Sequence, residues 1–403
     1  MIPPAAGSRV QAAFRGRCRS RVNLVDLQLE HFRNLRCESI PFSDGINLII
    51  GRNGQGKSSL LEAIYLLGYG KSWRTAVARE CVRHGEAESV LRGTVRHGNA
   101  ERRLQVLLSR PEKRLYVNGR EAALEEFAGQ LHVLAFAQIH LSVIRGGPAE
   151  RRAFLDRAMI TSTPGHVRHL ANYVRAVRQR NRLLGGARGT VDERQLEGWD
   201  EAMVREGARI LWNRLRYVDG LKEVLPPRLF GNEEIKLHYV ATAGEGFEHL
   251  GAVEGKMRER IRASREQDYR MGCTTVGPHR DDLKIFIDGK AAGTYGSAGQ
   301  QRSALLSLYF AQMEMHYRCH QFYPVFLVDD VEAELDHQRL AVFLEFLAAR
   351  TQTFMTTAKE ETLPKLPGPV TRLRVEQGII ECDRNPGREP DASGGPERGT
   401  VTL

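Results

Sequence analysis

The sequence lacks the cysteine patterns of a disulfide framework or of a zinc finger. Its six cysteines form no C-x-x-C pair, and none has histidine neighbours at zinc-finger spacing, which argues against a structural zinc site. Unpaired cysteines fit the reducing cytoplasm. The sequence also lacks an apolar run near the roughly 18 residues that a membrane-spanning helix needs, so we expect a soluble chain with no membrane partner.

Acidic residues are the other shortage. The 403 residues include 59 Lys and Arg against 49 Asp and Glu, a net charge of +10. This excess of positive charge favours a polyanionic partner such as nucleic acid or an anionic membrane surface. A basic protein without such a partner can have the same net charge. The first 21 residues contain five arginines and no acid, as a transit peptide does. We prefer to interpret residues 1–22 as a disordered extension or the product of a wrongly assigned start codon.

Length predicts two domains, and hydrophobic periodicity predicts their elements. Apolar spacing after Lys57 indicates a helix with one buried face, and Ser89–Val117 predicts a meander that turns at Asn118-Gly119. The predicted helices are Val167–Leu184, Leu196–Leu221, Ser303–Tyr317 and Leu340–Ala349. We expect the first two to form a helical hairpin set apart from the core. The predicted strands are Leu24–Leu29, Ile46–Ile50, Ile235–Val240, Leu283–Ile287, Pro324–Val328 and Thr353–Thr357. Residues 385–403, rich in Gly, Pro and polar residues, predict a disordered tail.

A phosphate-binding loop is the first motif with a chemical meaning. The pattern G-x-x-x-x-G-K-S is matched by Gly51, Arg52, Asn53, Gly54, Gln55, Gly56, Lys57 and Ser58, and Ser59 completes the predicted nucleotide-binding set. A strand precedes the loop and a helix follows, which argues against a chance glycine-rich turn. Backbone N–H groups and the helix N-terminus would face phosphate oxygens. Lys57 would reach the β- and γ-phosphates of ATP, and Ser58 would bind Mg²⁺.

Two carboxylates predict the metal and water end of this site. Asp329 and Asp330 follow the apolar strand Pro324–Val328. We assign Asp329 to Mg²⁺ and Asp330 to polarising the attacking water, as the catalytic residue. Many ATPases with such a phosphate loop carry Glu at that second position, so the shorter Asp side chain predicts slower ATP hydrolysis. A surface Asp pair that caps the strand is the alternative, and the phosphate loop in the same chain weakens it.

A third motif resembles the signature segment of ABC-type ATPases. Ser297, Gly299 and Gln300 form S-x-G-Q at the start of a predicted helix, where a hydroxyl and a helix N-terminus can meet an anion. In ABC-type heads this segment contacts the nucleotide held by the other subunit. The resemblance therefore implies an ATP-dependent homodimer.

Four further segments resemble the RecF family, and the likeness covers roughly Leu24 to Asp383. They are H-F-R-N-L at His31–Leu35, the G-P-x-x-R-R-x-F-L-D segment at Gly147–Asp156, G-P-H-R-D-D-L at Gly277–Leu283 and D-D-V-x-x-E-L-D at Asp329–Asp336. The resemblance implies an α/β fold, an ABC-type P-loop ATPase head with a mixed sheet, plus a helical arm lobe. We place the head in residues 23–150 and 271–384 and the arm in 151–270. Arg33 is expected near the nucleotide.

The family resemblance also implies a function. RecF-like proteins bind ATP and DNA, dimerise on ATP, hydrolyse it slowly and recognise gapped or junction DNA. With RecO-like and RecR-like mediators they help to load RecA and support the SOS response. This chain departs from the family at Ala137–Leu141, which lacks the usual acidic residue, and at Ala333, which replaces Ser. The roles of His279 and Arg280 stay open between pairing with the neighbouring Asp residues and a function of their own.

A basic stripe is the predicted DNA contact. No acid lies between Arg157 and Val191, and one side of the predicted helix carries Arg168, Arg175, Arg178 and Arg182. Such a stripe can follow a phosphate backbone, although a solvated basic face gives the same pattern. Tyr173 is the only aromatic residue among them, so base stacking is not indicated.

Other ATPase classes fit the sequence less well. A transporter subunit needs a switch histidine, and Thr356-Thr357 stands in its place. A chromosome-organising head needs long heptad coiled coils, for which residues 148–226 are far too few. A nuclease needs an additional acidic metal cluster, and the candidates Asp281 and Asp282 lie inside a family segment.

Overall fold

The computed structural model describes residues 21–75, 77–109, 112–185, 192–225, 233–330 and 337–383. The predictions for residues 1–20 and 385–403 lie outside this part of the chain. Val22 already belongs to the first strand and is buried, so the predicted boundary at residue 22 is one residue too late. Within the described residues, no helix is long and apolar enough to cross a membrane.

Strands form three sheets around the helices. The strands are β1 (Val22–Glu30), β2 (Cys37–Pro41), β3 (Ile46–Ile50), β4 (Ser89–His97), β5 (Ala100–Leu108), β6 (Lys113–Val117), β7 (Arg120–Glu121), β8 (Val133–Phe136), β9 (Ile235–Val240), β10 (Asp282–Ile287), β11 (Lys290–Ala291), β12 (Val325–Val328), β13 (Thr353–Thr357), β14 (Val370–Glu376) and β15 (Ile379–Asp383). The α-helices are α1 (Lys57–Tyr69), α2 (Leu124–Ala128), α3 (Ser142–Arg145), α4 (Pro148–Ser162), α5 (His166–Gly185), α6 (Glu193–Val224), α7 (Leu250–Ala263), α8 (Arg265–Met271), α9 (Ala292–Tyr295), α10 (Ala298–His320) and α11 (His337–Arg350).

One sheet determines where the nucleotide site forms. Its strand order is β15-β14-β3-β13-β12-β8, and all neighbours pair in parallel except β14 and β15. Strand β12 is buried along its whole length, as expected of a parallel strand covered on both faces. Because the carboxyl ends of parallel strands share one edge, the segments that follow β3, β13 and β12 meet there.

Helix α1 is buried on every side, which differs from the prediction of one buried face. All of its residues except Ser58 are buried. The reason is its position between two sheets. One core contains Leu61 of α1, Leu24 on β1 of the sheet β2-β1-β4-β5-β6-β7, and Leu327 on β12 of the parallel sheet. Gly93 on β4 admits the helix, because a Cβ there would lie 2.4 Å from Leu67.

The helices α5 and α6 form the predicted antiparallel pair, but they do not stand apart from the ATPase core. Tyr173 on α5 and Leu211 on α6 belong to the same hydrophobic cluster as Phe310 on α10 and Phe326 on β12. The apolar face of α6 therefore packs against α10, and this contact joins the lobe to the head. The boundaries of the arm at residues 151 and 270 stay a prediction.

Candidate nucleotide-binding site

The phosphate loop has the geometry that the motif predicts. Gly54 and Gly56 have φ angles of 80° and 120°, a region that side chains disfavour. The loop closes around Lys57, whose Nζ donates to the carbonyl oxygens of Gly51 at 2.8 Å and Arg52 at 3.3 Å. Only 4% of Lys57 is exposed. A cation and a helix N-terminus are thus held together where an anion can bind.

Three side chains meet at the ends of neighbouring strands. Ser58 Oγ donates to Asp329 Oδ1 at 2.9 Å, and Thr356 Oγ1 donates to the same oxygen at 2.8 Å. Strand β13 lies between β3 and β12, so Thr356 at its end is placed between Ser58 and Asp329. Sequence reasoning noted Thr356 as the replacement of a switch histidine but missed this contact.

The donor set fits Mg²⁺ and nucleotide phosphates. Hydroxyl and carboxylate oxygens are the hard ligands that Mg²⁺ prefers, so Ser58 and Asp329 would hold the ion. Bound there, Mg²⁺ supplies charge neutralisation to the phosphates. Asp330 follows with a left-handed φ of 46°, and its backbone N–H donates to Thr356 Oγ1 at 2.8 Å. Its catalytic role stays a prediction.

The signature segment caps helix α10 and lies at the surface. Ser297 and Gln300 form a capping box, in which Ser297 N donates to Gln300 Oε1 at 2.9 Å and Gln300 N donates to Ser297 Oγ at 3.3 Å. Ser297 is exposed and Gly299 is half-buried. Among the described residues, no hydrogen bond joins Ser297 or Gln300 to the phosphate loop of the same chain. This leaves the helix N-terminus accessible to another molecule.

The most specific sequence segments fold onto each other. Arg151 binds both carboxylate oxygens of Asp282, at 2.7 and 3.0 Å, and Arg152 donates to the carbonyl oxygen of Asp281 at 2.6 Å. Asp156 accepts from Arg214 on α6 at 2.7 Å, and Arg214 also donates to the Pro278 carbonyl oxygen at 2.6 Å. The Gly147–Asp156 and Gly277–Leu283 segments are therefore two halves of one buried polar network.

The stripe predicted for DNA lies beside a wide cleft. Arg175, Arg178 and Arg182 line this cleft of about 820 Å³, together with Arg157 and Lys71. Arg168 is exposed on the same helix but does not line the cleft. Positive side chains from α4, α5 and the segment after α1 thus share one concave surface. Such a surface can concentrate a polyanion.

Positive side chains outnumber carboxylates in the cleft, and aromatic side chains also line it. Among the described residues that line it, Asp156 is the one carboxylate. Burial raises the pKa of Asp156, but Arg214 and His166 outweigh burial and bring it to about 2, so this charge is compensated. Trp73 and Tyr69 also line the cleft, whereas Tyr173 is buried elsewhere. The sequence prediction missed Trp73 because it considered aromatic residues of the helix alone.

Comparisons with known proteins identify the family of this chain. The sequence family described as RecF/RecN/SMC N terminal domain matches residues 23–381. The DNA replication and repair protein RecF of Bacillus cytotoxicus is 32% identical over 372 residues, which cover 89% of this chain and 98% of that protein. The chain belongs to the RecF family. RecF of Bacillus mycoides is also 32% identical, over 374 residues with the same two coverages.

Solved structures confirm the predicted fold class of this RecF-family chain, an ABC-type ATPase head. A structure described as the recombination mediator protein RecF-ATPrS in the RecFOR pathway has a TM-score of 0.84 at 30% identity, covering 91% of this chain and 100% of that one. The corresponding RecF-ATP structure gives 0.83 at 30% identity, with 90% and 98% covered. The Smc head of Pyrococcus furiosus shares the fold alone, with a TM-score of 0.50 at 14% identity over 90% of this chain and 96% of that one. RecF membership supports a role in DNA repair and recombination.

In this RecF-family chain Arg33 pairs with Glu62, and the neighbouring Asn34 contacts the phosphate loop. Arg33 binds both carboxylate oxygens of the buried Glu62 on α1, at 3.0 and 2.8 Å. Asn34 instead contacts the phosphate loop, because its Oδ1 accepts from Ser59 Oγ at 3.3 Å and its Nδ2 donates to the Gly54 carbonyl oxygen at 3.5 Å. A nucleotide contact by Arg33 stays a prediction.

His279 and Arg280 of the RecF-family segment do not pair with the Asp residues beside them. His279 Nδ1 shares a hydrogen bond of 2.7 Å with Tyr173 on α5. Arg280 donates to the Thr274 carbonyl oxygen at 3.2 Å. Asp281 instead accepts from Tyr239 at 3.0 Å. The structural interpretation of the two residues is therefore favoured, with partners other than those expected.

Thr356→Val tests the contact between β13 and Asp329. We expect Mg²⁺-dependent hydrolysis of ATP to fall by about 10–100-fold, because the substitution removes a hydrogen bond that orients a metal-binding carboxylate. Thr353→Val is the matched control, since the Thr353 hydroxyl on the same strand is buried and has no hydrogen-bond partner among the described residues. Equal rates for Thr356→Val and wild type, across a titration of Mg²⁺, would contradict the assignment.

Two buried histidines predict a loss of stability in mild acid. Burial lowers the pKa of His140 to about 3 and that of His279 to about 4. The unfolded state therefore binds more protons below the ordinary value of about 6.5, and the free energy of unfolding falls as the pH falls from there towards the folded pKa. The slope is about 1.4 kcal/mol per pH unit for each histidine.

Urea unfolding between pH 6.5 and pH 5 measures this loss. His279→Gln removes one titrating group, so its slope should be shallower than that of wild type by about 1.4 kcal/mol per pH unit. His84→Gln serves as the control because His84 is exposed. An unchanged slope in His279→Gln would show that folding does not lower the pKa of this ring.

Proposed function

We propose that this RecF-family chain is an ATP-dependent DNA-binding recombination mediator. The observation that carries the proposal is the position of α1. Lys57 at its N-terminus belongs to the phosphate loop, while Tyr65 and Tyr69 near its C-terminus line the basic cleft. A helix of 13 residues spans about 20 Å. One buried, rigid element thus joins the nucleotide site to the proposed DNA site.

In this proposal ATP with Mg²⁺ acts as a switch. Two copies of the chain would close on ATP, each presenting Ser297, Gly299 and Gln300 to the nucleotide of the other. The exposed capping box at the start of α10 supports this, because a helix N-terminus favours an anion. Slow hydrolysis, with Asp330 positioning water, would then release DNA.

The finer assignments rest on the family. We propose that the DNA is gapped or carries a junction between single and double strands. We further propose that RecO-like and RecR-like proteins are partners, that the chain helps to load RecA with them and that it supports the SOS response. The RecFOR pathway in the names of the similar structures supports these partners. An ATPase subunit of another ABC-type complex is the alternative, and the Smc likeness supports it by fold alone.

Fluorescence anisotropy on gapped duplex DNA with ATP and Mg²⁺ tests the cleft. The triple variant Arg175→Ala, Arg178→Ala, Arg182→Ala should bind more weakly. It should also reduce the slope of log affinity against log salt by about 2–3, because each phosphate contact contributes about 0.9. Arg168→Ala tests whether an arginine of the stripe that lies outside the cleft also contributes to DNA binding. Arg209→Ala, an exposed arginine of α6, is the control.

Two results would contradict the proposal in different ways. If the triple variant keeps the affinity and salt slope of wild type, DNA binds elsewhere on the chain. If wild type neither dimerises nor binds DNA in ATP, the mediator function fails. A partner-dependent ATPase subunit then becomes the better interpretation.

A further inference from the structure

Three histidines converge at the far end of the helix that begins with the signature segment. His316 and His320 lie one turn apart near the C-terminus of α10, and His132 immediately precedes β8. One ring nitrogen of each lies within 4.8 Å of those of the other two. His132 and His316 are buried, and His320 is half-buried. This histidine cluster plays no part in the nucleotide site or the basic cleft.

Backbone carbonyls fix which ring nitrogens carry protons. His132 Nε2 is 3.2 Å from the Gly129 carbonyl oxygen, and His316 Nδ1 is 2.9 Å from that of Phe322. Carbonyl oxygens only accept, so these two nitrogens hold the protons of the neutral rings. The remaining nitrogens, His132 Nδ1 and His316 Nε2, then face each other at 2.5 Å with a lone pair on each. This arrangement is repulsive unless a cation or an additional proton lies at the cluster.

An additional proton is disfavoured at neutral pH. Burial lowers the pKa of His132 to about 4 and that of His316 well below its ordinary value, and the nearby His320 ring lowers both further. Burial also lowers the pKa of His320. Within the described part of the chain, the His320 Nε2 is buried without a hydrogen-bond partner. Each ring therefore has a nitrogen whose lone pair can bind a cation.

We propose that His132, His316 and His320 bind a divalent transition metal, with Zn²⁺ the expected ion. Neutral imidazole is a preferred zinc ligand, and a second hydrogen bond from each ring to a carbonyl is the usual support of such ligands. Zn–N bonds of about 2.0–2.1 Å place tetrahedral ligand atoms roughly 3.3 Å apart, so His132 and His316 separate slightly on binding. The cysteine-based argument against structural zinc does not apply, because this ligand set contains no sulfur.

The surroundings allow a fourth ligand and suggest a structural role. A cavity of about 10 Å³ beside His316 is lined by Thr161, Ser162 and Gln312, and this volume suits one water molecule. The metal would tie the C-terminus of α10 to β8, which pairs with β12. It would therefore fix the helix that presents the signature segment relative to β12, the strand that precedes Asp329.

Zinc binding by the untagged full-length chain tests the proposal. After chelator treatment and dialysis, we expect the chain to take up one equivalent of Zn²⁺. Free Zn²⁺ at about a hundred times the Kd should raise the melting temperature by about 3 °C. His320→Ala should lose both effects, and this half-buried position is the one of the three least needed for folding. The exposed His84 provides the control His84→Ala, which should keep both.

Cobalt provides a readout that a stabilising side chain alone would not change. His320→Cys should bind Co²⁺ with an added thiolate-to-metal charge-transfer band, because sulfur then enters the coordination sphere. Absence of stoichiometric Zn²⁺ uptake by wild type would overturn the proposal. Equal uptake by wild type and His320→Ala would also overturn it, as would a His320→Cys spectrum without the new band. None of these outcomes depends on ATP or DNA, so they are independent of the proposed function.

Discussion

Lys57→Ala should reduce ATP hydrolysis by at least about a hundredfold, the usual cost of removing one positioned donor to a developing charge. The same variant should stay monomeric when ATP and Mg²⁺ are added. The physical reason is the burial of the Lys57 ammonium within a curled loop, where its Nζ lies 2.8 Å from the Gly51 carbonyl oxygen. A phosphate that enters the loop gains a nearly desolvated cation, and alanine cannot replace this charge.

Phosphate release and light scattering after size exclusion measure the two effects. Lys256→Ala is the matched control, since Lys256 is an exposed partner of Glu259 at 2.8 Å. It should hydrolyse ATP and dimerise as wild type does. Dimerisation of Lys57→Ala on ATP would separate nucleotide binding from the switch and refute the proposed mechanism.

Arg180→Met should lower the free energy of unfolding by about 3 kcal/mol, the lower part of the range for breaking a buried ion pair. The fully buried Arg180 on α5 donates to Asp200 at 2.6 Å and to Asp268 at 2.7 Å. Methionine fills the space but leaves the two carboxylates without this cation. Asp200 keeps Arg265 at 2.9 Å, and Asp268 keeps the Thr275 hydroxyl at 2.5 Å, so we expect the lower figure.

Urea unfolding of a neighbouring variant provides the comparison. Arg178 lies on the same helix but is exposed at the cleft, so Arg178→Met should change the free energy of unfolding by no more than about 0.5 kcal/mol. Equal costs for Arg178→Met and Arg180→Met would mean that the ion pairs around Arg180 contribute little. DNA binding should show the opposite order, because Arg178 is one of the proposed phosphate contacts.

Elements with a strong local pattern could be predicted from the sequence. Strand β3 covers the predicted Ile46–Ile50, and α1 begins at the predicted Lys57, because loop chemistry and apolar spacing determine both locally. Strands β8 and β14 were not predicted, since their stability comes from pairing with residues far away in the chain. The same limit explains why the burial of α1 on all sides was missed.

The candidate site shows a similar division. Ser58 and Asp329 were predicted because each belongs to a motif, and the structure places them in contact at 2.9 Å. Asn34, Thr356 and Trp73 were not predicted as site residues, because sheet order and helix packing bring them to the loop or to the cleft. The position of Thr356 could have predicted its contact with Asp329, because a hydroxyl at the end of a predicted strand can reach a carboxylate at the end of the neighbouring strand.

The order of strands in the parallel sheet determines when the ATP site can form during synthesis. Both neighbours of β3 come from the end of the chain, since β13 begins at Thr353 and β14 at Val370. The ribosome therefore makes about 300 residues after the phosphate loop before the loop has its supporting strands, which takes about 15–60 s. During that interval a nascent chain exposes both edges of β3, a target for chaperones. A chain that stops before residue 370 would keep the motif but leave one edge of β3 without its partner β14.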